Sequence, residues 1–135
     1  LKLVMVGDGP LRAEVEREVR DWGIGERVLL LGAREAREVL PAFDVLLMTS
    51  RYEGFPYVVL EAFALSIPIV SAPTPGLGEW LREHGALVAE KAHPDALAAA
   101  LEKALLAHTQ PPTWNQEWSS ERMVEKTLAL YQTIL

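Results

Sequence analysis

Continuous apolar runs alternate along the chain with stretches in which apolar residues recur at helical spacing. The runs cover residues 1–7, 27–32, 44–50 and 67–72, with a shorter one at 85–89. Each run ends at glycine, serine or alanine and lacks polar alternation, which is typical of strands buried on both faces of a sheet. Five short strands are therefore expected.

Apolar residues at helical spacing occur in most of the intervals between these strands. We predict helices over 8–23, 35–43 and 93–108, one that starts at Pro56, and a last one over 119–135. Strands that alternate with helices predict an α/β fold, in this case a Rossmann-like parallel sheet with helices on both faces. Such folds bind ligands beyond the carboxyl ends of their strands.

The breaker TQPPT divides the chain into two parts. Residues 1–108 are predicted to form the Rossmann-like domain, and residues 109–135 contain the breaker and a C-terminal helix. Val124, Leu128 and Tyr131 give this helix an apolar stripe. We expect the stripe to pack on the domain itself or toward another domain, in which case some apolar surface stays exposed.

Composition and charge narrow the function classes. Half of the 135 residues are apolar and the formal net charge is −6, which argues against a nucleic-acid partner. The chain has no cysteine and no apolar run long enough to span a bilayer, so a cytoplasmic protein is expected, with peripheral membrane association as a further option.

Several common catalytic motifs are missing. No P-loop or nucleophile elbow occurs, and the sequence GDGP lacks the third glycine of a dinucleotide fingerprint because Arg12 stands there. The three histidines, His84, His93 and His108, are scattered and are predicted to be surface residues. No metal site is predicted.

The segment SRYEGFPYVVLEAF carries two carboxylates, Glu53 and Glu61, on either side of a predicted helix start at Pro56. Unpaired amides at a helix N-terminus attract anions, and carboxylates accept hydrogen bonds from paired hydroxyl groups. The amides in question are those of Phe55, Tyr57 and Val58. This pattern suits a ligand with a diphosphate between two polyols. Equally, Glu53 could simply complement the helix dipole and Glu61 could be a solvated helix residue.

EGFPYVVLEA resembles the E-x7-E signature of the retaining, nucleotide-sugar-dependent glycosyltransferases of family 4, the glycosyl transferases group 1 type. The segments LVMVGDGPLR, RVLLLG, GEWL, HGALV and DALAAAL follow the order of that family. The resemblance implies a GT-B enzyme, of which this chain would be the C-terminal, donor-binding domain.

The family also implies residue roles. Glu53 would be the catalytic residue that contacts the transferred sugar, and Glu61 would bind the ribose hydroxyls. Backbone after the second strand would hold the base. The full donor-binding set implied is Gly32, Ala33, Arg34, Gly54, Phe55, Pro56, Tyr57, Val58 and Glu61.

Three departures from the family pattern stand out. Ser66 replaces a glycine that the family usually has, which changes a helix cap. The loop TPGLGE is a loose version of a glycine-rich loop. The family's first strand, with its Arg and Lys for the diphosphate, is expected upstream of Leu1.

The resulting prediction is the donor-binding half of a retaining, hexosyltransferase-type glycosyltransferase in glycan biosynthesis. It would use a UDP- or GDP-linked sugar, no cofactor and no divalent metal, with an acceptor glycan or lipid held by an N-terminal domain. The isolated chain is expected not to transfer sugar. Two alternatives stay open: a sugar-nucleotide epimerase-like domain, and a non-catalytic nucleotide- or protein-binding α/β domain.

Overall fold

The computed structural model describes residues 1–106 and 114–134. The chain divides into two compact units, Leu1–Val39 and Leu40–Leu135. Five strands are found in the described part, and all of their pairings are parallel. They form one two-stranded and one three-stranded sheet, which confirms the predicted α/β class with parallel strands.

The first unit is a β-α-β-α arrangement. Strands β1 and β2 pair in the register Leu3↔Val28 to Met5↔Leu30. Its elements are β1 (Leu3–Met5), α1 (Arg12–Asp21), β2 (Val28–Leu30) and α2 (Ala36–Val39).

The prediction that β1 is buried on both faces was wrong. Leu3 is 44% exposed and Met5 is 40% exposed. Within the described residues, each strand of the first unit is only three residues long and pairs with one other strand. Such a small sheet leaves strand side chains accessible that the middle of a wider, covered sheet would bury.

The second unit contains the three-stranded sheet, in the order β3-β4-β5. Leu46 pairs with Ile69 and Val70 pairs with Leu87. Its strands and helices are β3 (Leu46–Met48), α3 (Tyr57–Ala64), β4 (Ile69–Ser71), α4 (Leu77–Glu83), β5 (Leu87–Val88), α5 (Pro94–Leu106) and α6 (Ser120–Ile134).

The core of the second unit lies between α3, α4 and the sheet. Val59 and Phe63 from α3, Val70 from β4 and Leu81 from α4 are completely buried. Strand β4 is buried along its whole length, as expected for the middle strand of a covered parallel sheet. This core fixes the positions of the loops that leave the carboxyl ends of β3 and β4.

Helix α4 was not predicted from the sequence, which had suggested a loop over TPGLGE. Gly76, with φ of 73°, precedes the helix, and Gly78 lies inside its first turn. Two glycines in a seven-residue helix conceal the helical pattern, because glycine has poor helix propensity. The Gly78 amide nevertheless bonds to the Thr74 carbonyl at 2.7 Å.

Helix α3 ends in a Schellman motif centred on Ser66. The Ile67 amide donates to the Ala62 carbonyl at 2.9 Å, and the Ser66 amide donates to the Phe63 carbonyl at 3.0 Å. Ser66 has a φ of 56°, a left-handed conformation in which glycine is usual. The prediction that Ser66 falls at a helix cap is therefore confirmed.

The C-terminal helix α6 exposes its apolar stripe. Val124, Leu128 and Tyr131 are 51%, 55% and 60% exposed. This confirms that apolar surface on the last helix stays accessible in the chain. Among the helices of the described residues, none is long and apolar enough to cross a membrane. The predicted breaker at 109–113 lies outside the described residues.

Candidate functional site

The candidate site begins where β3 ends and the chain turns into α3. The structure differs slightly from the prediction here, because Pro56 is the N-cap residue in an extended conformation (φ −72°, ψ 130°) and the helix begins at Tyr57. The Val59 amide already donates to the Pro56 carbonyl at 3.1 Å. The amides of Tyr57 and Val58 are therefore the first donors of the helix, and no carbonyl one turn earlier in the helix accepts their hydrogen bonds.

The loop before the helix is strongly exposed. Tyr52, Glu53 and Gly54 all lie at the surface of the chain. A Cβ added to Gly54 would meet no heavy atom within 4 Å other than those of its two chain neighbours. The second unit therefore leaves open space beside the Gly54 backbone, which follows the exposed residue Glu53.

Glu61 lies one helical turn after Tyr57, on the same face of α3. It is half-buried, and no ion pair is formed by it in the described part of the chain. The fully buried face of α3 is carried by Val59, Ala62 and Phe63. Since side chains on a helix lean toward its N-terminus, Glu61 can line the side of the helix start.

An aromatic cluster borders the loop. Phe55 is 46% exposed and contacts Trp80 edge-to-face at 4.8 Å between ring centroids. Trp80 also contacts Phe63 at 5.5 Å and Trp118 at 5.2 Å. The cluster thus links the start of α3 to α4 and to the segment before α6.

His84 is half-buried in this cluster, so it is partly accessible but more closely packed than the scattered surface residue that was predicted. Its ring stacks on Trp80 at 4.1 Å, and Nδ1 lies 2.7 Å from the Trp80 carbonyl. His93 is exposed and its Nδ1 lies 3.4 Å from Asp95. His108 lies outside the described residues.

The residues predicted to hold a base belong to the first unit. Gly32 has a φ of 68°, and its carbonyl accepts a hydrogen bond of 2.8 Å from the Gly7 amide. Ala33 and Arg34 are exposed, with the guanidinium of Arg34 donating to the Ala33 carbonyl at 3.2 Å. The turn after β2 therefore presents backbone and one cationic side chain to solvent.

The neighbouring turn after β1 is closed by ion pairs. Arg12 Nε donates to Glu16 at 2.9 Å, and its Nη1 lies 3.5 Å from Asp8. The hydrogen bond to Glu16 and the negative charge of Asp8 raise the pKa of Arg12. This arrangement supports the interpretation of GDGP as a tight turn between strand and helix.

The predicted site residues are divided between the two units. Residues 53–58 and Glu61 form one continuous segment of the second unit, whereas residues 32–34 lie in the first unit. The sequence did not single out Trp80 or Trp118, although aromatic residues at GEWL and QEWS were the available signal. Within residues 1–106 and 114–134, no three His, Cys, Asp or Glu side chains are grouped so that they could hold a metal ion.

Comparison with known proteins places this chain in a family. The model described as Glycosyl transferases group 1 matches residues 1–107. The chain belongs to the glycosyl transferases group 1 family. The family resemblance seen in the sequence is therefore confirmed.

Two curated relatives illustrate this membership. The chain is 42% identical over 79 residues to the Vi polysaccharide biosynthesis protein VipC/TviE of Salmonella typhi, covering 58% of this chain and 14% of that protein. It is 36% identical over 85 residues to N-acetyl-alpha-D-glucosaminyl L-malate synthase of Bacillus anthracis, covering 62% of this chain and 22% of that protein. The chain therefore spans less than a quarter of either of these two relatives.

A solved structure shows the fold. Anabaena Alr3699/HepE, determined in complex with UDP-glucose, superposes with a TM-score of 0.80 at 24% identity, covering 99% of this chain and 41% of that one. Structural neighbours of this kind are GT-B glycosyltransferases. The predicted relation to one half of a GT-B fold is therefore confirmed.

Proposed function

We propose that this chain is the donor-binding part of a retaining glycosyltransferase, which transfers a hexose from a nucleoside-diphosphate sugar to a glycan or lipid acceptor. The observation that carries the proposal is the helix start at Tyr57, with Glu53 on the loop before it and Glu61 one turn after it. Membership of the glycosyl transferases group 1 family supports it. The UDP-glucose found in Anabaena HepE makes a UDP-linked sugar the first donor to test, and a GDP-linked sugar the second.

The chemistry of each part fits a different part of the donor. The free amides of Tyr57 and Val58 would receive a phosphate oxygen, since helix N-termini favour negative charge. Glu61 would accept hydrogen bonds from the two ribose hydroxyls. Gly32, Ala33 and Arg34 would contact the base, mainly through their backbone.

Glu53 would act on the transferred sugar. Glu53 is exposed and directly precedes Gly54, beside whose backbone there is open space, so this part of the loop is accessible to a sugar ring. Rate enhancement would come from positioning the donor and from stabilising the departing diphosphate, with donor and acceptor held in one geometry.

The transfer is expected to proceed with retention of configuration and without a divalent metal or other cofactor. NMR of the product would establish the configuration at the new glycosidic bond. Chelation with EDTA should leave the rate unchanged. A cytoplasmic location, with peripheral attachment to a membrane through other parts of the protein, also stays a prediction.

Replacing Glu61 tests the proposal in the intact protein. Glu61→Ala should weaken nucleotide-sugar binding by about 10- to 100-fold, because a charged hydrogen-bond acceptor contributes about 1.5–3 kcal/mol. Glu61→Gln should be milder, because the amide oxygen still accepts one hydrogen bond. Isothermal titration calorimetry with UDP-glucose and GDP-mannose measures both effects.

Glu102→Ala is the matched control, since Glu102 is an exposed acidic residue on helix α5. It should bind donor as the wild type does. Equal, negligible effects of all three substitutions would contradict the ribose role of Glu61. Saturable nucleotide binding without any sugar transfer by the intact protein would favour a non-catalytic nucleotide-binding domain.

A further inference from the structure

The loop that carries Glu53 leaves the sheet next to the end of β4. In the parallel pair of β3 and β4, Met48 lies opposite Ser71, and the Ala72 amide donates to the Met48 carbonyl at 2.8 Å. Regular parallel pairing would continue with a bond from the amide of residue 74 to the carbonyl of residue 50. The backbone does not make that bond.

The Thr74 amide turns away from the ladder. It donates to the Ala72 carbonyl at 2.8 Å, two residues earlier in the segment that follows β4. In its place the Thr74 hydroxyl donates to the Ser50 carbonyl at 2.8 Å. The Thr74 side chain therefore adds one hydrogen bond between the segments that follow β3 and β4, at the position where the regular backbone bond is missing.

Thr74 is well held in this role. It is 3% exposed, and its carbonyl accepts the Gly78 amide at 2.7 Å in the first turn of α4. By contrast, residues 51–54 are exposed. Among the hydrogen bonds of the described residues, the Thr74–Ser50 bond is the one that ties the 49–55 loop to the rest of the second unit.

We propose that Thr74 is a positioning residue, whose hydroxyl fixes the point at which the 49–55 loop leaves the sheet and so places Glu53 beside the start of α3. The proposal rests on the proposed function, in which Glu53 contacts the transferred sugar. Thr74 itself touches no substrate in this account. Its effect on transfer is indirect, through the loop.

Thr74→Val and Thr74→Ser test the proposal in the intact protein. Valine has nearly the same shape but no hydroxyl, whereas serine keeps the hydroxyl. Loss of one hydrogen bond corresponds to about a three- to tenfold change. In Thr74→Val, the 15N order parameters of the amides at 51–55 should therefore fall, because the loop moves more freely, and kcat/KM for the nucleotide sugar should fall by about that factor.

Thr74→Ser should restore both quantities toward the wild-type values. Ser71→Ala provides the matched control, because Ser71 is also a buried hydroxyl that donates to the Ala72 carbonyl, at 2.8 Å, without reaching the loop. It should change neither the order parameters of the loop nor kcat/KM. Unfolding curves of all four proteins separate a local effect from a general loss of stability.

Measuring both loop dynamics and kcat/KM shows which part of the proposal fails. Unchanged order parameters at 51–55 in Thr74→Val would overturn the structural role of the hydroxyl. Lower order parameters with unchanged kcat/KM would overturn the positioning of Glu53 by Thr74. If the wild type neither binds nor turns over a nucleotide sugar, the proposed function fails, and the positioning role for transfer fails with it, while the order parameters still decide whether Thr74 holds the loop.

Discussion

Ser66 occupies a left-handed position that a glycine would occupy with less strain. For a residue with a Cβ atom, this conformation is less favourable by about 1–2 kcal/mol. Replacing Ser66 by glycine removes this cost. Part of the benefit is lost again, because a glycine loses about 0.5–1 kcal/mol more backbone entropy on folding. The Ser66 side chain is exposed and forms no hydrogen bond among the described residues, so removing it sacrifices no contact of that kind.

We therefore expect Ser66→Gly to raise the free energy of unfolding by about 0.5–1 kcal/mol. For a chain of this length, the corresponding rise in Tm is about 2–4 °C. Urea denaturation followed by circular dichroism measures the free energy, and a thermal scan measures Tm. The Schellman hydrogen bonds of Ser66 and Ile67 should be kept, because they involve backbone atoms only.

Ala99→Gly is the control for this substitution. Ala99 is exposed in the interior of α5, where glycine should lower the free energy of unfolding by about 1 kcal/mol. If the two glycine substitutions change the free energy of unfolding in opposite directions, the backbone conformation at each position determines the effect of glycine on stability. A Ser66→Gly protein that is less stable than the wild type would refute the reasoning.

Three further predictions concern the site and the last helix. Gly54→Ala should keep the stability of the wild type within about 0.5 kcal/mol, since no atom lies near the added methyl group, yet weaken donor binding in calorimetry; unaltered binding would count against a ligand beside Gly54. Trp80→Leu should lower the free energy of unfolding by about 1–3 kcal/mol and increase the exposure of Phe55; an unchanged denaturation curve would contradict this. Leu128→Glu should reduce concentration-dependent self-association in sedimentation velocity, and equal association of both proteins would exclude the α6 stripe as its cause.

The alternation of strands and helices could be predicted because each buried strand is an uninterrupted apolar run. This holds best for 67–72, where Ile69 and Val70 are buried as expected. The same rule failed at β1, since a run of apolar residues does not reveal how many strands flank it. Leu3 and Met5 are consequently more exposed than their sequence suggests.

The candidate site was predictable only where local sequence determines it. Glu53 and Glu61 could be identified because proline and apolar residues between them indicate a helix start. Thr74 could not be found in this way, because its hydrogen bond to Ser50 joins residues 24 positions apart. Trp80 was missed for a related reason, since its helix begins among glycines.

In the proposed function, the segment from Gly54 to Glu61 binds the diphosphate and ribose of a nucleotide sugar. Titration of the 15N-labelled protein with UDP, and separately with GDP, tests it most directly. We predict saturable shifts at the amides of Gly54, Tyr57 and Val58, with further shifts at residues 32–34. The shifts should become much smaller in Glu61→Ala at the same nucleotide concentrations. Saturable shifts confined to other parts of the chain, or none with either nucleotide, would contradict the claim.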